Sequence, residues 1–150
     1  MRTLHIGLRV ADLERSLAFY TGLGYAVLGT VPETELGSLT MLKLPGDDFV
    51  TLELVHDAGK GTVDPGGLSH LVVQVESMRD TIARLAAEGI YAEPPGSPDG
   101  SDDFFTAWLI DPDGYRIELV QWPTGHPQGM TEADLSGPPA EGGRSTAQSG

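Results

Sequence analysis

A self-similarity with a period of 65 residues constrains this chain more than any other feature. Under that shift Thr51-Leu52-Glu53-Leu54-Val55 falls on Arg116-Ile117-Glu118-Leu119-Val120, and Leu4-His5-Ile6 falls on Ser69-His70-Leu71. The register runs without a gap through Leu8 and Val73, Val10 and Val75, Leu13 and Met78, Leu17 and Ile82, Gly24 and Gly89, and Leu42 and Ala107. A supersecondary unit used twice, each copy too small to bury a core alone, predicts two modules packed together with equivalent positions facing each other.

Local periodicity gives the unit its shape. Residues 4–10 alternate, with Leu4, Ile6, Leu8 and Val10 on one face and His5, Gly7 and Arg9 on the other, which predicts a first strand with a polar face. Asp12 then caps a helix to about Thr21, with Leu13, Leu17 and Tyr20 at helical spacing and Gly22 and Gly24 closing it. Strands follow at 25–30, 39–44 and 49–55, the last pair joined through Pro45-Gly46-Asp47-Asp48. In the second copy the strand is 68–75, Ser77 caps a helix whose apolar stripe is Met78, Ile82, Leu85 and Ala86, and Tyr91 opens the next strand. Phe104–Ile110 and Tyr115–Trp122 form a hairpin about Asp111-Pro112-Asp113-Gly114, with Pro and Gly where a turn favours them. The unit is βαβββ.

The expected organisation is a first module over residues 1–56, a Gly-rich linker over 57–67, a second module over 68–122 and a polar extension over 123–150. The extension is expected to wrap the surface briefly through Met130 and Leu135, with disorder after about residue 136. The segment 93–103, rich in Pro, Gly, Ser and Asp, reads as an exposed loop. The fold class is α+β, two tandem βαβββ modules forming a curved mixed sheet around a cavity.

Composition narrows the chemistry. With 150 residues the chain suffices for two small modules sharing a core, and the apolar fraction of 39% is diluted by its polar end. There is no cysteine, so a disulfide framework, a thiolate metal site and a cysteine nucleophile are excluded together. A net charge of −13 works against nucleic acid and anionic membranes. The start of the chain carries no apolar signal core and no eighteen apolar residues run together, so a cytoplasmic protein is expected.

Taken singly, His5, Glu53, His70 and Glu118 are each compatible with the wet face of an antiparallel strand. Together they ask for more. Glu is a poor strand residue, and carboxylates brought close together repel unless a cation or shared proton stands between them. Two imidazoles and two carboxylates related by a pseudo-twofold axis supply what one divalent cation needs, and Ni²⁺, Co²⁺, Fe²⁺, Mn²⁺ and Zn²⁺ all accept such donors. Four ligands leave two octahedral positions open for chemistry. His56 and His126 fall outside the repeat and are expected to be exposed.

The residues Leu4-His5-Ile6-Gly7-Leu8-Arg9-Val10-Ala11-Asp12-Leu13-Glu14-Arg15-Ser16 with Phe19-Tyr20, and the ending Asp111-Pro112-Asp113-Gly114-Tyr115-Arg116-Ile117-Glu118-Leu119, resemble the opening and closing hairpin of glyoxalase I within the vicinal oxygen chelate superfamily. The resemblance spans about residues 2–122. It implies paired βαβββ modules, metal ligands at His5, Glu53, His70 and Glu118, and a bound divalent ion. The absence of the insertions found in zinc-dependent members makes the chain similar to the nickel- or cobalt-activated bacterial branch. The implied substrate is an α-hydroxy carbonyl or a thiol hemithioacetal, converted through an enediolate, with Glu118 as base and Glu53 as second base or spectator ligand. Arg9 stands where the family contacts the carboxylate of glutathione, with pairing to Glu53 or Asp57 as the equal alternative, and Asp57, Phe105 and Trp108 complete the expected substrate contacts, the two aromatics as core and cavity wall.

Two departures from the family bear on the thiol. Asp57 replaces an Asn near the end of the fourth strand, and the loop that often carries Lys or Arg is here the acidic Ser97-Pro98-Asp99-Gly100-Ser101-Asp102-Asp103. Both point away from glutathione toward another low-mass thiol or a thiol-free substrate. A second reading is a metal-free protein of the bleomycin-resistance type that sequesters an antibiotic or natural product. Epimerases and dioxygenases of the superfamily are disfavoured by Glu53, since they carry Gln or His there. The expected partners are a small molecule and a second copy of the chain; whether a site closes within one chain or across a homodimer is open in the sequence.

Overall fold

The computed structural model describes residues 1–126 and 128–135. Its elements run β1 (Ile6–Val10), α1 (Leu13–Leu23), β2 (Ala26–Val31), β3 (Ser38–Lys43), β4 (Leu52–His56), β5 (Leu71–Gln74), α2 (Met78–Ala87), β6 (Phe105–Ile110), β7 (Arg116–Gln121) and α3 (Glu132–Leu135). The fold is α+β, built from two mixed sheets. One has the order β1-β4-β3-β2 and the other β5-β7-β6. In each, the first strand of the module lies parallel to the last, so β1 and β5 are sheet edges.

Helices α1 and α2 start where the sequence caps them. The Asp12 carboxylate accepts from the Arg15 amide at 3.0 Å, and the Ser77 hydroxyl accepts from the Asp80 amide at 3.3 Å. Gly24 closes α1 at a positive φ of 123°, a conformation that a side chain would strain. The Schellman-like exit is reinforced from the other module, because Arg84 on α2 donates to the carbonyls of Gly22 and Leu23 at 2.8 and 3.0 Å.

One core serves both modules. Leu8, Val10, Tyr20, Leu42, Leu52 and Leu54 of the first copy belong to the same buried cluster as Val73, Met78, Leu85, Leu109, Ile117 and Leu119 of the second. The Asp111-Pro112-Asp113-Gly114 turn fastens them. Asp111 accepts from Tyr20 Oη at 2.8 Å and from the amides of Asp113 and Tyr115 at 2.9 and 2.8 Å. Asp113 accepts from the Ala11 amide and from Ser16 Oγ. The motif therefore has a structural task as well as setting up the strand that carries Glu118.

Several expectations are corrected. The repeat needs a gap in its third strand: Met41 lies opposite Glu53, whereas Trp108 lies opposite Glu118, so Leu42 corresponds to Leu109 and not to Ala107. The chain from Leu42 to Leu52 is two residues longer than that from Leu109 to Ile117, and loop length sets hairpin register. No strand begins at Tyr91. Only Glu93 N to Trp108 O and the Gly96–Thr106 bridge reach β6, since Pro94, Pro95 and Pro98 remove ladder donors. The second sheet consequently has three strands where the first has four. Met130 and Leu135 are exposed. Neither His56 nor His126 is exposed: both are half-buried, and His126 stacks on Trp122 at 4.5 Å and meets Asp134 at 2.8 Å. The expectation of disorder past residue 136 lies outside the described residues.

Candidate metal and substrate site

His5 precedes β1 and Glu53 sits on β4, which β1 joins in parallel with Gly7 opposite Glu53. His5 Nε2 lies 3.5 Å from Glu53 Oε2. The second module repeats the arrangement: His70 precedes β5, Glu118 sits on β7, and His70 Nε2 lies 3.6 Å from Glu118 Oε2. These separations are long for a hydrogen bond. They suit two donors to one ion, since ligands at about 2.0–2.2 Å from a common centre stand up to about 4 Å apart. The donor set thus fits a divalent cation with nitrogen and oxygen preference.

The four side chains do not converge within one chain. Among the described residues no group of three or more His, Asp or Glu side chains gathers to hold a metal ion. The structure brings His5 to Glu53 and His70 to Glu118, as two half-sites on separate sheets.

The halves differ in their surroundings. Glu53 is buried at 8% exposure, and Gly7 makes room for it: a Cβ at that position would stand 3.3 Å from Glu53 Oε1. Sequence reasoning placed Gly7 on the polar face but missed this close approach, whose signal was a glycine in mid-strand. On the other side His70 Nδ1 shares a 3.0 Å hydrogen bond with Ser69 Oγ, which leaves Nε2 facing Glu118. Trp108 and His70 meet in a T-shaped contact with ring centroids 5.3 Å apart, and the Arg116 guanidinium lies 4.2 Å from the indole centroid. Arg116 was not among the residues expected to touch substrate.

Of the expected substrate contacts, Trp108 shares the face of Glu118, while Phe105 packs against the core from the opposite face of β6. Arg9 lies on the Glu53 face of β1. Asp57 is engaged locally by the Gly59 amide at 3.0 Å and by Lys60 at 3.6 Å. The Gly59 hydrogen bond, with help from Lys60 and Arg9, holds its carboxyl below the usual range. Farther along the second sheet Phe104, Trp122 and His126 form a continuous stack of rings.

Residues 2–119 match the model of the Glyoxalase/Bleomycin resistance protein/Dioxygenase superfamily. The chain belongs to this superfamily. Among its relatives, lactoylglutathione lyase of Salmonella typhimurium is 33% identical over 125 residues, covering 81% of this chain and 93% of that protein. The trypanothione-dependent glyoxalase I of Leishmania major shares its structure with a TM-score of 0.65 at 30% identity, over 81% of this chain and 86% of that one. TnmS3, an antibiotic-binding protein from Streptomyces sp. CB03234, is similar at a TM-score of 0.63 and 25% identity, over 81% and 96% of the two chains. Superfamily membership accounts for the repeat, for the paired first and last strands of each module and for both terminal motifs. Among the described residues no helix is long and apolar enough to cross a membrane.

Proposed function

We propose that the chain is a metal-dependent lyase of the glyoxalase I type, acting on the hemithioacetal of a 2-oxoaldehyde and a thiol or on a related α-hydroxy carbonyl. The observation that carries this reading is the matched pairing of His5 with Glu53 and His70 with Glu118 at 3.5 and 3.6 Å. Relatives named lactoylglutathione lyase, at about a third identity over most of both chains, support the same chemistry.

Each site is closed between two copies of the chain, the first module of one facing the second module of the other. Three features favour a homodimer. Both half-sites stand on sheets whose β1 and β5 edges are unpaired among the described strands. Ile6, Val27, Leu28, Val31, Val72 and Ile110 leave apolar side chains exposed on these sheets. A cleft of about 980 Å³ runs along β5 and includes Val72 and Gln74 but none of the four His and Glu residues, so a strand from a partner has space there.

His5, Glu53, His70 and Glu118 would hold one divalent ion, with Ni²⁺ or Co²⁺ favoured over Zn²⁺, Fe²⁺ or Mn²⁺. When bound, the ion polarises the substrate oxygens and acidifies the intervening C–H bond. Glu118 takes the carbon-bound proton and returns it to the neighbouring carbon, and Glu53, more deeply buried, acts as the opposed base or holds its place as a ligand. Trp108, directly opposite Glu118 on the neighbouring strand, forms one wall beside the base. The protein is proposed to work in the cytoplasm on a small molecule.

Metal analysis of the purified protein, then methylglyoxal turnover with several thiols after loading with Ni²⁺ or Zn²⁺, tests the reading. Glu118→Gln that keeps metal but loses at least about 100-fold in kcat supports the assigned base. Full turnover in that variant removes it. The second reading, sequestration of an aromatic natural product without metal, draws on the Phe104–Trp122–His126 stack and on the likeness to TnmS3. Tight ligand binding by a metal-free protein that turns over no hemithioacetal would favour it.

A further inference from the structure

We infer that Arg116, held over the indole of Trp108, selects substrates that carry an anionic group on the arm leading away from the reacting carbon. The reaction itself rests on the function proposed above; the Arg116 contact is a separate property of the same surface.

Four observations converge on it. Trp108 is the β6 residue directly opposite Glu118, and Arg116 is two residues before Glu118 on β7, so all three share one face. The guanidinium lies 4.2 Å from the indole centroid, and the same indole makes a T-shaped contact with His70. Arg116 is exposed, and among the described residues no Asp or Glu oxygen lies within ion-pair distance of it. Stacking on an aromatic ring orients a guanidinium without neutralising it, so its fork of donors stays available to a carboxylate.

The repeat supplies an internal control. The positions equivalent to Arg116 and Trp108 in the first module are Thr51 and Met41, so the fold does not demand a cation on an indole beside the glutamate. Only the half with Glu118 has it. The acidic loop over 97–103 and the carboxylate of Asp57 in place of an Asn argued from sequence against an anionic thiol. Arg116 answers that objection with a cation on the sheet itself, in a protein of net charge −13 whose surface otherwise discourages anions.

Calorimetric binding of S-hexyl-N-acetylcysteine and of its uncharged methyl ester to the Ni²⁺-loaded full-length protein tests the inference. The wild type is expected to prefer the acid by about tenfold, the order of a charge-assisted contact. Arg116→Gln should abolish the preference while leaving the ester's affinity within about twofold, and Arg116→Lys should keep part of it. Equal affinity of the wild type for acid and ester, survival of the preference in Arg116→Gln, or no binding of either compound would overturn it. Absence of methylglyoxal turnover would count against the reaction alone, because the acid-over-ester preference is read without turnover.

Discussion

Tyr20 on α1 donates a 2.8 Å hydrogen bond to Asp111 at the head of the β6–β7 turn, joining the two modules of one chain through a buried pair. Asp111 is 4% exposed and Tyr20 fully buried, so neither partner can turn to water for a substitute. Tyr20→Phe is expected to destabilise the fold by about 1–3 kcal/mol, the usual cost of an orphaned buried acceptor. Urea unfolding measures it, and a change below about 0.5 kcal/mol, typical of a surface site, would mean that the turn is held by its backbone bonds alone.

The same aspartate makes stability depend on pH. Burial, the largest influence, pushes the Asp111 carboxyl above its ordinary value of 3.8, against the hydrogen bonds from Tyr20 and the two amides that lower it. The folded state therefore holds the proton to higher pH than the unfolded chain. Its stabilising contribution is full below 3.8 and is lost as pH rises through the raised value. Asp111→Asn, which does not titrate, should gain stability relative to the wild type across that rise. Urea midpoints measured over a pH series would show a widening difference in the variant's favour; a constant difference would contradict the sign.

Gly7 offers a test of how closely the first half-site is packed. Alanine relieves the conformational cost of glycine in a strand, about 0.5–1 kcal/mol, but sets a methyl 3.3 Å from Glu53 Oε1 and 3.5 Å from Val55 Cγ2. Gly7→Ala is expected to fold with unchanged or slightly raised Tm and to bind metal about tenfold more weakly, because Glu53 must shift. Unchanged metal affinity would show that the carboxylate has room to spare.

Much of this architecture was legible in the sequence, for identifiable reasons. Asp12 and Ser77 announce their helices because orphan amides at a helix start need a short polar acceptor. His5, Glu53, His70 and Glu118 were legible because the 65-residue shift carries one His and one Glu of the first copy onto those of the second, and the parallel pairing of β1 with β4 and of β5 with β7 is what brings each pair together. What escaped were properties set by neighbours in space. The two-residue slip between Met41 and Trp108 comes from unequal hairpin loops, which an ungapped repeat conceals. Arg116 reads as an ordinary strand-end cation until Trp108 is seen beneath it. His126 reads as an exposed residue of a polar extension until Trp122 and Asp134 are seen against it. The separation of the two half-sites likewise follows from how the modules share one core, which no spacing records.

A metal site shared between chains is tested most directly by complementation. One variant carries His5→Ala and Glu53→Ala, the other His70→Ala and Glu118→Ala, and neither alone retains a complete set of ligands. Differently tagged and co-expressed, they form a heterodimer in which the intact first module of one chain faces the intact second module of the other. The expected result is one Ni²⁺ per purified heterodimer and about half the wild-type turnover per dimer, against none in either parent. A heterodimer as empty and inactive as its parents, beside a wild type that binds metal fully, would contradict closure between chains.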